Sequence, residues 1–230
     1  MHLRKPSPTF SWASRQASNH SHSGETLRCS SNTDVARLAA SIKHRILECE
    51  TCEIDCLGPE SIFRSLSAMH LAMVFVKRER SEERTLCLRP EEMHVTSGDT
   101  QDFSDADQIG EDAKGRRETL LRMRINVFLS NWHPLALESE SEFLVGPATH
   151  VGLAAGLFAS LLKNGEEVVV GAGRAPAAAR AIKVLAATNV YLTKQGVLAD
   201  KIFLVALRWD RAPRGYVNRV ILTSTLQKNI

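Results

Sequence analysis

The sequence predicts a mixed α/β protein of the α+β two-layer type, built from two tandem β-α-β-α-β-β units with helices packed on one face of each sheet. Three observations carry this expectation. Short β-branched or alternating runs, typical of strands, alternate with longer segments whose apolar residues recur at helical spacing. That order of elements occurs twice along the 230 residues. The charge also changes sign near the boundary between the two occurrences. The whole chain carries a net charge of +3. Residues 143–230 hold 11 Lys and Arg against 4 Asp and Glu, residues 1–24 hold three basic residues and no acid, and the stretch between them is net −7.

The first unit is expected over residues 25–130. Thr26–Ser30 reads as a short strand, and Thr33 or Asp34 is placed to cap a helix running to Glu48, with Val35, Leu38, Ala39, Ile42, Ile46 and Leu47 on one face. Cys52–Leu57 is a strand ending in Gly58-Pro59, Ser61–Lys77 a helix, and Thr85–Val95 a strand. A polar stretch at 97–115 holds six acids against Lys114, and Arg117–Leu129 alternates as a last strand.

The second unit is expected over 142–230. Glu142–Gly146 is a strand and Pro147–Asn164 a helix stopped by Gly165. Val168–Val170 is a β-branched run suited to a strand buried on both faces. Gly171-Ala-Gly173 turns the chain, and Pro176 opens an alanine-rich helix to about Asn189. Lys201–Trp209 and Tyr216–Thr225 close the unit as a hairpin around Arg211–Gly215. The units align at an offset of about 115, which sets Leu38-Ala-Ala on Leu153-Ala-Ala and Gly58 on Gly173. Val74-Phe75 falls on Val190-Tyr191 at 116.

Residues 1–24 are serine-rich, basic and free of acids, which fits a disordered tail and also an organelle transit peptide. Five cysteines, all before residue 90, with no secretory apolar run near Met1, point to a reducing intracellular compartment, cytoplasmic or nuclear unless the leader directs import. No apolar run has the length of a membrane span.

Val151-Gly-Leu-Ala-Ala-Gly156, the strand and turn VVVGAGRAP at 168–176 and AIKVLAATNVYL at 181–192 together resemble the stage V sporulation protein S family, within the Alba-like group. The resemblance covers roughly 142–225 and departs by a few extra residues between Gly173 and Arg180. The first unit fits only in outline. The resemblance implies small dimeric nucleic-acid binders, so it implies RNA or DNA as partner and no catalysis. It also implies that the tandem units stand in for a homodimer within one chain.

The residues supply a matching charge. Arg174 follows the glycine turn, Arg180 and Lys183 are three apart on the next helix, and Arg208, Arg211, Arg214 and Arg219 gather on the last hairpin. Trp209 and Tyr216 flank that turn, placed either to stack on unpaired bases or to pair across the hairpin. The acidic 97–115 stretch stands where the first unit would carry its hairpin arm, and it would repel phosphate. The alternative for the basic face is a protein-interaction or assembly scaffold that meets an acidic partner.

Other chemistries fit worse. GAGRAP sits between a strand and a helix as a dinucleotide fingerprint does, but Pro176 replaces its third glycine and no acid follows about 20 residues on. Cys49-Glu-Thr-Cys52 has no second C-x-x-C, and Cys52, Ile54 and Cys56 alternate onto one core face. His70 and His150 read as packing residues on apolar helices. The sequence therefore predicts a protein that is not an enzyme and has no cofactor or metal.

Overall fold

The computed structural model describes residues 26–80, 83–93, 122–134, 142–211 and 218–228. The expected leader, the acidic 97–115 stretch, Arg214 and Tyr216 lie outside them. The elements run β1 (Leu27–Cys29), α1 (Val35–Cys49), β2 (Thr51–Leu57), α2 (Gly58–Arg80), β3 (Thr85–Met93) and β4 (Arg122–Ser130). They continue with β5 (Glu142–Leu144), α3 (Val151–Lys163), β6 (Val168–Ala172), α4 (Ala175–Lys194), β7 (Lys201–Arg211) and β8 (Asn218–Lys228), with a 3-10 turn at Val197–Ala199 before β7. The fold is mixed α/β, and each half has the order β-α-β-α-β-β.

The strands do not form two sheets. They make one eight-stranded sheet in the order β1-β2-β4-β3-β7-β8-β6-β5. Each half contributes the same internal order, and the halves meet where β3 and β7 pair antiparallel, Cys87 opposite Ala206 and Leu88 opposite Val205. Mirrored strand order about an antiparallel seam is the arrangement of a local two-fold axis. Helix lengths and ends differ from the sequence reading. Pro147 and Ala148 form a turn, in which Thr149 Oγ1 accepts from the Gly146 N–H at 3.0 Å, and α3 starts only at Val151. At its other end α4 continues past Asn189 to Lys194.

Caps, registers and buried positions align the halves at a constant offset of 116. The N-caps are Asp34 and His150. Leu27 pairs Ile54 where Phe143 pairs Val170. Exposed Arg37, Ala40, Ser41 and His44 fall on exposed Leu153, Gly156, Leu157 and Ser160. The expected offset of 115 is thus one residue short over much of the unit: Leu38 matches Ala154, and Gly58 matches Arg174. At the last strand the offset becomes 97, because Cys52 faces Val127 where Val168 faces Ser224. Leu88 pairs Val127 where Val205 pairs Ser224, so the first half has twenty more residues between its last two strands.

The core lies between the sheet and the helices. Cys52, Ile54 and Cys56 of β2, Met123, Ile125 and Val127 of β4, and Phe203 and Val205 of β7 alternate inward against Ile42, Leu66, Met69, Ile182 and Leu185. Every residue of β6 is buried, as its run of valines implies. Across the seam, Trp209 on β7 packs edge-on against Phe63 of α2 at 5.2 Å between ring centroids, with His70 at 6.4 Å. On the opposite sheet face the linker tucks Trp132 against Cys87, Leu204 and Ala206, and its Nε1 donates to Glu167 at 3.1 Å. Rings from one half rest on the other on both faces of the sheet.

Candidate nucleic-acid interface

The basic end of the second half is built by the turn between β6 and α4. Arg174 is the N-cap of α4, in extended conformation, with no side-chain cap bond and Pro176 in the first turn. Its carbonyl accepts from Ala178 at 2.8 Å, while its side chain is exposed. Arg180 follows further along the helix, half-buried. The first backbone N–H groups of a helix lack intrahelical partners and carry the positive end of its dipole. No acid stands in the first turn of α4 or of α3.

The corresponding place in the first half shows what such groups require. Asp34 caps α1 by accepting from the Arg37 N–H at 2.9 Å. That backbone hydrogen bond holds the Asp34 carboxyl below its ordinary pKa. Glu60, in the first turn of α2, pairs with Arg64 at 3.5 Å, and Arg64 Nη1 donates to Thr33 O at 3.2 Å. At the offset of 116 these positions become His150, Pro176 and Arg180. His150 caps α3 with a ring nitrogen, Nδ1, which accepts from the Leu153 N–H at 3.2 Å. It is a cap and not the packing residue that the sequence suggested. Among the described residues two carboxylates balance these groups in the first half, and none does in the second. Among the described residues neither Arg174 nor Arg180 has an ion-pair partner.

The other expected site residues are placed differently. Lys183 faces the first half and pairs with Glu92 at 2.8 Å. Arg219 bridges Asp210 at 3.0 Å and Glu142 at 3.1 Å. A methyl group at Gly171 would collide with that Glu142 carboxylate, so the glycine there makes room for the bridge. Arg208 is exposed on the sheet face away from the helices, opposite Ile221. Arg211 ends β7, with its side chain outside the described residues. Trp209 sits against Phe63 and faces Val220 across the hairpin, so it is not presented for base stacking. Among the described residues, the expected site residues near the α4 start are Arg174 at the N-cap and Arg180 in the second turn. His150 is the member of this end that sequence reasoning missed. Its signal was a Pro-Ala-Thr-His turn directly before an apolar helical run, 116 residues after the Asp34 cap.

The cysteines take core places. Burial pushes the Cys52 and Cys87 thiols up to about 12, which keeps them protonated and poorly nucleophilic. Cys49 is exposed at the end of α1 while Cys52 points into the core. Among the described residues no group of three or more His, Cys, Asp or Glu is placed to hold a metal ion. No helix of the described residues is long and apolar enough to cross a membrane. No protein-family model and no curated protein matches the chain.

Proposed function

We propose that the second half binds the phosphate backbone of RNA or DNA at the end formed by the α3 and α4 starts, without catalysis, and that the first half serves as its structural partner. One observation supports this above the others. Where the first half satisfies its helix starts and arginine with Asp34 and Glu60, the second half presents His150, Pro176, Arg174 and Arg180 and, among the described residues, no carboxylate. A phosphate supplies the missing negative charge and accepts from both backbone N–H groups and a guanidinium. The +7 balance of residues 143–230 adds long-range attraction for a polyanion. The first half, net negative with its own carboxylates in place, contributes the β3–β7 seam and the Glu92–Lys183 pair that position α4.

The test is a salt titration of binding to single- and double-stranded RNA and DNA by the full chain. Affinity should fall as salt rises. Replacing both Arg174 and Arg180 by Ala should lower affinity at least tenfold and reduce the slope of log K against log salt by about 1.8 on duplex DNA, two lost phosphate contacts at about 0.9 each. A double variant with the affinity and slope of the parent would refute the site. A parent that binds no nucleic acid at low salt would refute the function.

A further inference from the structure

We infer that Cys29 and Cys56 form a redox switch, in which a peroxide joins them in a disulfide that fastens β1 to β2. The pair belongs to the first half and takes no part in the phosphate site. The two residues stand directly opposite each other on parallel β1 and β2, and both are fully buried in the core. Neighbouring strands run about 4.7–4.9 Å apart, and a disulfide spans Cα separations of about 4.4–6.8 Å. Partners in register direct their side chains to the same sheet face, so the two sulfurs meet.

The second half is an internal control for this cluster. The Cys29 thiol donates to the Ser61 carbonyl at 3.1 Å, and the Ser65 hydroxyl is in hydrogen-bond reach of Cys56. At the offset of 116, Cys29, Cys56, Ser61 and Ser65 become Val145, Ala172, Ala177 and Ala181, all buried. The fold therefore packs these four places with aliphatic side chains, and its core does not require sulfur or hydroxyl there.

The surroundings give the two thiols different roles. A hydrogen bond from Cys56, with another from Thr33 and the charge of Arg64, outweighs burial and holds the Cys29 thiol below its ordinary pKa. The same bond and burial push Cys56 well above its own. Cys29 is thus the thiolate that attacks and Cys56 the thiol that resolves. Access comes from the edge of the sheet: β1 has three residues and pairs with β2 alone, so local opening of β1 admits a small oxidant. The Cys29 sulfur attacks one oxygen of hydrogen peroxide and the O–O bond breaks, leaving a sulfenic acid and a hydroxide that takes up the Cys29 proton. The Cys56 sulfur then attacks the Cys29 sulfur. The S–S bond forms, the S–O bond breaks, and the hydroxyl leaves with the Cys56 proton as water. Two thiols lose two electrons, and one peroxide gains them to become two waters.

Hydrogen peroxide added to the reduced, folded full chain tests this, with the exposed Cys49 replaced by Ser in every sample to prevent links between chains. Peptide mass spectrometry should find one Cys29–Cys56 link, reversed by dithiothreitol, with Cys52 and Cys87 still thiols. Hydrogen exchange at the Leu27–Cys29 amides should slow about tenfold or more, because the link closes the opening of β1. Cys29→Val with Cys56→Ala, the residue types of the second half, should fold as the parent does and show no change in that exchange on peroxide treatment. A folded parent whose Cys29 and Cys56 stay thiols under peroxide, or link only in urea, overturns the inference. So does a link that leaves β1 exchange unchanged, or a double variant whose exchange slows as the parent's does.

Discussion

Replacing Trp209 by alanine should destabilise the protein by about 3 kcal/mol, the low end for truncating a large core aromatic because this ring is only half-buried. The ring belongs to β7 but rests on Phe63 and His70 of α2, so its loss removes packing inside the second half and across the seam at once. The indole Nε1 is buried without a hydrogen-bond partner among the described residues. Trp209→Phe should therefore cost less than about 1 kcal/mol, since it keeps a ring against Phe63 and removes an orphan donor. Urea unfolding followed by circular dichroism distinguishes the cases. Equal losses for Ala and Phe would mean that the indole nitrogen has a partner. A single cooperative transition for the parent is also expected, because the sheet is continuous through β3 and β7.

Asp55→Asn should cost about 2–3 kcal/mol near neutral pH. The Asp55 side chain lies on the sheet face away from the helices and is 5% exposed. Arg124 Nε donates to it at 2.8 Å, Arg124 Nη2 at 3.2 Å and Arg122 Nη2 at 3.2 Å. Breaking a buried pair from one side typically costs about 3–5 kcal/mol, and partial exposure of both guanidinium groups reduces that here. Burial alone would raise the Asp55 pKa, but the hydrogen bonds and charges of Arg124 and Arg122 outweigh it and hold the carboxyl below its ordinary value. The folded state thus binds fewer protons than the unfolded chain as the solution turns acidic. The contribution of Asp55 is complete above the unfolded value of about 3.9 and is lost as pH falls through the lower folded value. The asparagine variant should lack that part of the acid loss, and its stability difference from the parent should shrink on acidification. A constant difference from pH 7 to pH 3 would contradict the assigned ion pair.

Much of the fold was legible because period and punctuation agree in each element. Val168–Val170 is a β-branched run typical of a doubly buried strand, and Cys52-Ile54-Cys56 alternates as a half-buried one does. Register was less legible. Matching Leu38-Ala-Ala to Leu153-Ala-Ala is a literal likeness, whereas the helix caps Asp34 and His150 share no residue type and set the true offset. The single sheet was hidden because the β3–β7 seam joins residues far apart in sequence. Lys183 reads as a free cation until Glu92 is brought to it, and Arg219 does so until Asp210 and Glu142 close around it. Local charge counting cannot anticipate such partners. Arg174 and Arg180 were legible as cations, but their distinction came from the acids that the first half has and the second lacks.

That distinction gives the most direct measurement. His150→Asp and Pro176→Glu together would put into the second half the acids that Asp34 and Glu60 supply in the first. Both new acids stand at helix starts that favour negative charge, so folding stability should stay within about 1 kcal/mol of the parent. Affinity for nucleic acid at low salt should fall at least tenfold, because the installed carboxylates occupy the phosphate position and neutralise Arg180. A double variant that folds as well as the parent and binds nucleic acid equally tightly, with the same salt slope, would contradict the account.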